Sequence, residues 1–486
     1  MAGIGFELKG LFKKKGIVAI FKAYGYTGII TTGPMLLGIL LLVGIIFLAD
    51  QFGLPRHERE LLICMITYAL LASLLCTGFF SMVTTRYISD MIFEGKEDAI
   101  LPSFFGSSGI ALVIGGILYG IFLCFAGIPL AYIILNWMLF CEAVVVWVAI
   151  NYLTAIKDYQ GIVLSFLTAV IVAFISAACV AWIFGPSVQA FLLGVCLGYG
   201  VMMTAEIILL YRYFSEGKTS CFYFLRWFDE YRPLAYVGFL LNVGLFSHLI
   251  IIWFGPIGVQ IQGLFYGAPM YDVAALMAFL SSLLTTINFV VSVEVNFYPK
   301  YHTYYSLFND KGSIKDIKQA EDEMLTVLNS ELLYTARKQL YMTALMISIG
   351  VILLEMLPLG FNDLMEGYFR ILCVGYGIYA IGNTIMLMLL YFTDYKGALA
   401  ATVAFTVIVT VGTILSLYTQ VVYYGFTFML GSAVYFLIAW IRLNQFTKRL
   451  SYHILSTQPI MAETKYGVFS KIAERLEKKE KQIYER

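Results

Sequence analysis

Charge is scarce in this chain. Of 486 residues only 13% are Asp, Glu, Lys or Arg, and 32 basic residues nearly balance 31 acidic ones, for a net charge of +1. That leaves no basic surface for nucleic acid, so none is expected as a partner. No GxxxxGK[ST] phosphate loop occurs, so the chain has no such cradle for ATP. Histidine appears four times, and no spacing of His, Cys, Asp or Glu fits a metal centre. No cofactor is expected. The eight cysteines form no CxxC pair, and all but Cys221 lie inside apolar runs, where a small buried hydrophobe is the expected role. No polar stretch is long enough for a nucleotide-sugar transferase domain. The chain reads as a non-enzyme.

What it has instead is apolar length. Hydrophobic residues make up 60% of the sequence, and the mean hydropathy is +0.83. A helix needs about 20 apolar residues to cross the hydrocarbon core, and such runs recur about a dozen times. Barrel strands would alternate over segments of about 10 residues, and these runs are continuous. The expected fold is therefore an all-α polytopic membrane protein with about twelve transmembrane helices in two six-helix bundles. The spans are placed at 24–49, 61–87, 104–126, 128–155, 161–184 and 188–211, then 234–254, 273–298, 340–357, 368–391, 398–418 and 422–442. Residues 24–211 and 234–442 form the two expected lobes. A two-lobed plan of this kind is common among transporters.

Lys and Arg fix the expected orientation, because positive residues stay on the cytoplasmic side. With both termini inside, only Arg56, Arg59 and Arg370 fall outside. The outer loop at 255–271 has no charge at all. Residues 1–23 mix Phe6, Leu8, Leu11 and Phe12 with Lys9, Lys13, Lys14 and Lys15. They read as an uncleaved interfacial amphipathic segment on anionic membrane lipids. The stretch 212–233 is a basic, aromatic cytoplasmic linker. In the internal loop 299–339, Ile314, Ile317, Leu325, Leu328 and Leu332 recur at helical spacing among charges. That pattern predicts an amphipathic helix, packed on the protein's own inner end or against a soluble partner. The basic tail 443–486 is expected to end in a charged, solvated helix.

Ionisable residues within spans invite functional hypotheses. Glu142 falls midway along the fourth span, as a cation or proton site, an acceptor for a sugar hydroxyl, or a structural hydrogen bond. Ser281, Thr285, Asn288, Ser292 and Asn296 make a polar stripe at three- and four-residue spacing. It suits a hydrated path, or equally a glue between helices. Glu294 lies off the stripe, within reach of a basic residue such as Lys300 or Arg337. Glu206 reads as shallow and His248 as a packed side chain. Tyr379 and Asn383 share a face with Gly375 and could stack on and hydrogen-bond to a sugar. Gly33-Pro34 should interrupt the first span, and Gly116/Gly120 and Gly194/Gly198 should mark close helix contacts.

Particular strings carry a resemblance. Met1-Ala2-Gly3-Ile4-Gly5-Phe6-Glu7-Leu8, Ala23-Tyr24-Gly25-Tyr26-Thr27-Gly28 and Thr31-Thr32-Gly33-Pro34 resemble the N-terminus of the PelG family. Asn151–Tyr159, Pro269-Met270-Tyr271-Asp272 and Glu294-x-x-Phe297-Tyr298-Pro299 fit the same family across essentially the whole chain. The resemblance implies a flippase superfamily that includes multidrug antiporters. It implies carriage of a GalNAc-rich sugar polymer across the bacterial cytoplasmic membrane. It also implies a cytoplasmic PelF-like glycosyltransferase and PelD/PelE-like membrane scaffolds responsive to cyclic di-GMP as partners. Asp272, Glu294 and Tyr298 are carried over as family-pattern positions only. A lipid-linked oligosaccharide flippase remains an alternative, disfavoured by the lack of a deep Lys or Arg for a diphosphate. A cation or drug antiporter and a non-transporting synthase scaffold are further alternatives.

Overall fold

The computed structural model describes residues 17–156, 158–214, 217, 219–309, 312–356, 362–457 and 466–484. Most of the expected interfacial segment, 1–16, therefore lies outside the described residues. The structure is helical almost throughout. Eleven helices among the described residues are long and apolar enough to cross a membrane. Large apolar side chains such as Trp182 and Phe184 are more than 80% exposed, as expected where lipid rather than water is the solvent. The segment placed as the ninth span is the second half of a 43-residue helix, Ile314–Met356. It borders on residues 357–361, which lie outside the described set.

The chain divides into two compact units. The N-unit comprises Gly33–Phe246, Gly258–Gly267 and Pro459–Arg486, and the C-unit comprises the residues up to Thr32, Ser247–Ile257 and Ala268–Gln458. Two helices contribute to both, α1 (Ile17–Gln51) and α8 (Arg232–Trp253). Helix α1 runs unbroken through Pro34.

The N-unit is built on α2 (Arg56–Glu94), α3 (Ile100–Phe125), α4 (Leu130–Ala155), α5 (Tyr159–Phe184) and α6 (Val188–Tyr213). Short polar caps start two of them. Asp158 accepts the Gly161 N–H at 2.9 Å and Ser187 accepts that of Ala190 at 3.3 Å, satisfying donors that helix ends leave unpaired. Helices α5 and α6 approach closely at the Gly194/Gly198 pair, where a Cβ on Gly198 would sit 2.6 Å from the Ala169 carbonyl oxygen. The other pair lies under Trp137, whose indole donates to the Gly116 carbonyl at 2.9 Å. The uncharged loop at 255–271 forms a small hairpin that the sequence did not announce, β1 (Val259–Gln262) with β2 (Phe265–Gly267). The Tyr68 hydroxyl takes the Tyr266 N–H at 3.1 Å and donates to its carbonyl at 3.0 Å. Gly263, at φ +55°, abuts the Ala126 carbonyl and leaves no room for a side chain.

Two expectations need correction. The tail is not a free, solvated helix. After the short α7 (Arg226–Glu230), the tail helix α17 (Val468–Tyr484) docks against this connector. Arg226 pairs with Glu477 at 2.9 Å, and Glu480 accepts the Cys221 N–H at 3.2 Å. Two acidic residues of α17 thus find partners on the linker, which composition alone could not reveal.

The segment 299–339 is largely helical, as its amphipathic spacing predicted, but its helices run on from the adjoining spans instead of forming a separate loop. In the C-unit, α9 (Pro269–Phe279), α10 (Leu283–Val290), a π-helical segment Val291–Phe297 and α11 (Tyr298–Asn309) form one long irregular column. The chain then reverses into α12 (Ile314–Met356). Lys300 pairs with Glu323 at 2.8 Å between these two arms. The buried face of α12 starts at Ala320, Met324, Leu328 and Leu332, so the amphipathic pattern packs within the protein itself. Helices α13 (Asp363–Tyr391), α14 (Tyr395–Ser416), α15 (Phe426–Thr447) and α16 (Leu450–Thr457) complete the unit. Arg442 on α15 clamps Asp394, which caps α14, through its Nη2 at 3.1 Å.

Candidate functional site

The C-unit turns the polar stripe into a seam between the irregular column and α12. Ser281, Thr285, Asn288 and Ser292 are all buried. The Asn288 amide is fully engaged. Its Nδ2 donates to Thr335 at 2.6 Å and Ser292 at 3.2 Å, and its Oδ1 accepts from Lys338 at 3.0 Å. Thr285 donates to the Gln339 side-chain oxygen, while the Gln339 amide donates to the Ser281 carbonyl at 3.0 Å and to Thr343 at 3.1 Å. The space beside Ser292, Glu331 and Thr335 is about 10 Å³, room for one water at most. In this structure the stripe is a clasp between helices and not an open path. That follows from the solvent: in an apolar medium, hydroxyls and amides turn to one another, and of the four buried stripe residues Ser281 alone has a hydroxyl with no partner.

Asn296 leaves the seam. Its amide is exposed and donates to Glu331 at 2.8 Å. The π-helical segment explains the departure, because a wider turn with i→i+5 bonding puts residue i+4 short of the face it would share in an α-helix. A 3₁₀ turn at Leu280–Ser282 interrupts the column as well. Tyr298 opens α11, partly exposed and stacked on Tyr301 at 6.4 Å. The side chain of Glu294, like that of Glu355, lies outside the described residues.

Sequence reasoning missed Lys338, Thr335 and Gln339, which were assigned to a loop. Lys338 sits over the Tyr334 ring at 4.2 Å, and it places a cation at a seam that had seemed free of deep positive charge. The spacing of Thr335 and Gln339, continuing the buried row Leu328, Leu332, was the signal that could have found them.

Elsewhere in the C-unit, Asp272 works as a local brace. It accepts the Ala268 N–H at 3.0 Å and the Trp253 indole at 2.9 Å, fixing the start of α9. His248 is fully buried, its Nδ1 2.8 Å from the Tyr271 hydroxyl and its ring 4.4 Å from that of Phe428. Tyr379 stacks on Tyr435 at 5.9 Å, and the Tyr435 hydroxyl donates to Asn383 at 3.4 Å. The structure therefore brings Tyr379 and Asn383 together, on an aromatic cluster separate from the Asn288 seam.

Among the described residues, two buried carboxylates lie within the spans of the N-unit. Glu142 on α4 faces α6 at Gly200, where an added Cβ would lie 3.2 Å from its Oε1. Its Oε2 has no hydrogen-bond partner. Glu206 lies on α6. It is completely buried, accepts from Ser165 at 3.1 Å, and leaves its own Oε2 unpartnered. An unpaired carboxylate oxygen in an apolar surround is costly, which makes both residues candidates for taking up a proton or a cation. Among the described residues, no group of three or more His, Cys, Asp or Glu side chains could hold a metal ion.

Comparison with known proteins places this architecture. A family model described as "PelG: Putative exopolysaccharide Exporter (EPS-E)" matches residues 1–455. No curated protein matches the sequence. Among solved structures, the chain is similar to the outward-facing conformation of a multidrug resistance MATE family transporter of the MOP superfamily. The identity is 14% and the TM-score 0.54, covering 93% of this chain and 99% of that one. It is similar to the inward-facing conformation of such a transporter at 12% identity and TM-score 0.56, covering 84% and 95%. A MOP superfamily transporter from Pyrococcus furiosus matches at 11% identity and TM-score 0.51, covering 87% and 96%. At these identities the likeness concerns the fold.

Proposed function

Because the chain belongs to the PelG family, and is thus a multi-pass membrane transporter, we propose that it carries a GalNAc-rich, Pel-type exopolysaccharide across the bacterial cytoplasmic membrane. The family match over residues 1–455 is the observation that carries this reading. In it, both termini lie in the cytoplasm. A PelF-like glycosyltransferase delivers the polymer, and PelD/PelE-like scaffolds hold the assembly under cyclic di-GMP control. The polar inventory supports the substrate class. A neutral polymer needs hydroxyls, amides and aromatic faces, and the Asn288 seam and the Tyr379–Asn383 cluster supply them. Parting of the seam would present Asn288, Thr335, Gln339 and the Lys338 ammonium to sugar hydroxyls. The test is export in a polymer-secreting strain lacking this chain, scored with a GalNAc-binding lectin inside and outside the cell. Loss of extracellular polymer, restored by re-expression, is the expected result; undiminished secretion overturns the proposal.

A second reading concerns energy. The unpartnered oxygens of Glu142 and Glu206 favour coupling of export to a proton or cation gradient. A synthase-driven mechanism would leave export from a Glu142→Gln variant unchanged.

A further inference from the structure

The N-unit contains an apolar groove for which a neutral sugar chain has no use. It measures about 850 Å³, within the size range of small-molecule sites. Helix α2 lines it with Ala72, Cys76 and Phe79, and α3 with Ile110, Ile114, Leu118 and Phe122. Tyr236, Phe239 and Val243 of α8 form the third wall. Spacings of three and four place each set on one helix face, so the groove runs along the helix axes. From Ile110 to Phe122 it extends roughly 18 Å at 1.5 Å per residue. Sugar hydroxyls entering it would lose their hydration with almost nothing in return. An acyl chain would lose nothing.

One end of the groove is closed by Phe228 of α7 and by Phe469, Ile472 and Leu476 of the tail helix. That helix sorts its charges by side. Glu477 and Glu480 are spent on the connector, at Arg226 and the Cys221 N–H. Arg475 and Lys479 remain exposed. They follow Ile472 by three and seven residues and so lie on its flank of the helix, next to the groove-lining face. An apolar trough parallel to the spans with a basic lip at its end matches one chemistry, an acyl chain joined to a phosphate.

We propose that this groove binds an anionic phospholipid, with its acyl portion along α2, α3 and α8 and its phosphate at Arg475 and Lys479. Since the tail helix forms the closing wall, the lipid binds the docked tail and not the released one, and so stabilises docking by mass action. The basic tail then serves as part of a specific lipid site.

The test uses the full chain in detergent, stripped of lipid and offered phosphatidylglycerol or phosphatidylcholine in mixed micelles, with retained lipid counted by native mass spectrometry. Phosphatidylglycerol is expected to remain at one per chain and phosphatidylcholine not. The double substitution Arg475→Glu/Lys479→Glu should cut retention at least tenfold with unchanged circular dichroism. Leu118→Trp, which fills the trough, should do the same. A phosphatidylglycerol carrying a photoreactive acyl chain should label Ile114 or Leu118. Equal retention of the two lipids, retention unaffected by both variants, or labelling confined to other helices would each overturn the proposal. So would a cross-link showing residues 1–16 of the chain itself in the groove.

Discussion

Asp229 on the connector and Ser470 in the first turn of the tail helix are joined twice: Asp229 Oδ2 accepts the Ser470 backbone N–H at 2.7 Å and its hydroxyl at 2.8 Å. The same carboxylate takes the Gly467 N–H at 3.0 Å. The helix is thus capped by a residue 241 positions away in sequence, and its unpaired N–H groups face a negative charge. Asp229→Ala should release α17. A loss of about 1–3 kcal/mol is expected from the stranded donors, read as faster amide exchange across 468–484 with the spans unaffected.

The same carboxylate sets a pH dependence. Burial alone would raise its pKa, but the bonds from Ser470, Arg232 and Phe469 hold it below the ordinary 3.8. A depressed folded-state pKa gives stability that is fully present above the unfolded value and lost as pH falls through the folded one. Tail protection should therefore be flat from neutral pH down to about 5 and fall below about 4. Asp229→Asn should remove that step, a difference visible by exchange measured across the acid range.

The seam makes a quantitative prediction. A double-mutant cycle on Asn288→Ala and Thr335→Ala should give a coupling near 0.6 kcal/mol, and at most about 1.7, the range for hydrogen bonds between membrane helices. Stability in detergent against a mild denaturant is the measurement. A coupling near zero would mean that the 2.6 Å contact contributes nothing to holding the arms together.

Glu142→Gln keeps the shape and removes the charge. The protein should reach the membrane in normal amount, while polymer export falls at least tenfold and loses its dependence on external pH. Export and membrane content measured side by side separate this outcome from simple misfolding.

Gly198→Val tests the helix contact in the N-unit. The added atoms would press on Ala169 and Ala173, and overpacking of this kind costs about 1–3 kcal/mol. A lowered melting temperature in detergent is expected, with Gly120→Val, beside the Trp137 ring at 3.5 Å, milder.

Much of this was legible in the sequence, and the boundary has a physical cause. Spans follow from hydropathy because the bilayer imposes length and composition locally. The stripe at Ser281, Thr285, Asn288 and Ser292 was visible as a period, but its partners were not. Thr335 and Gln339 lie 47 and 54 residues further on, where charged neighbours made the segment read as a loop. Asn288→Trp would drive a wedge between two packed helices rather than block an open path. The linker read as a basic, aromatic stretch and the tail as solvated charge until their opposite signs met at Arg226–Glu477. Glu206 was visible as a carboxylate in an apolar run, yet its burial depended on packing against Ser165. The hairpin at 259–267 and the π-helical segment had no local signature strong enough to announce them.

That segment has a geometric consequence. A turn with one surplus residue is a phase change in the helix: whatever follows Phe297 points in a different direction from the one the upstream register dictates, by about the 100° that a single residue subtends. The two halves of the column are therefore keyed separately, the first by the amide and hydroxyls that face α12, the second by the Lys300–Glu323 pair and by the Tyr301 hydroxyl, which donates to the Tyr391 carbonyl at 3.3 Å. Tightening the wide turn to an α-helical one would swing the tyrosine face about the axis while Asn288 stayed in place. Rotation of one end could thus proceed without translation of the other.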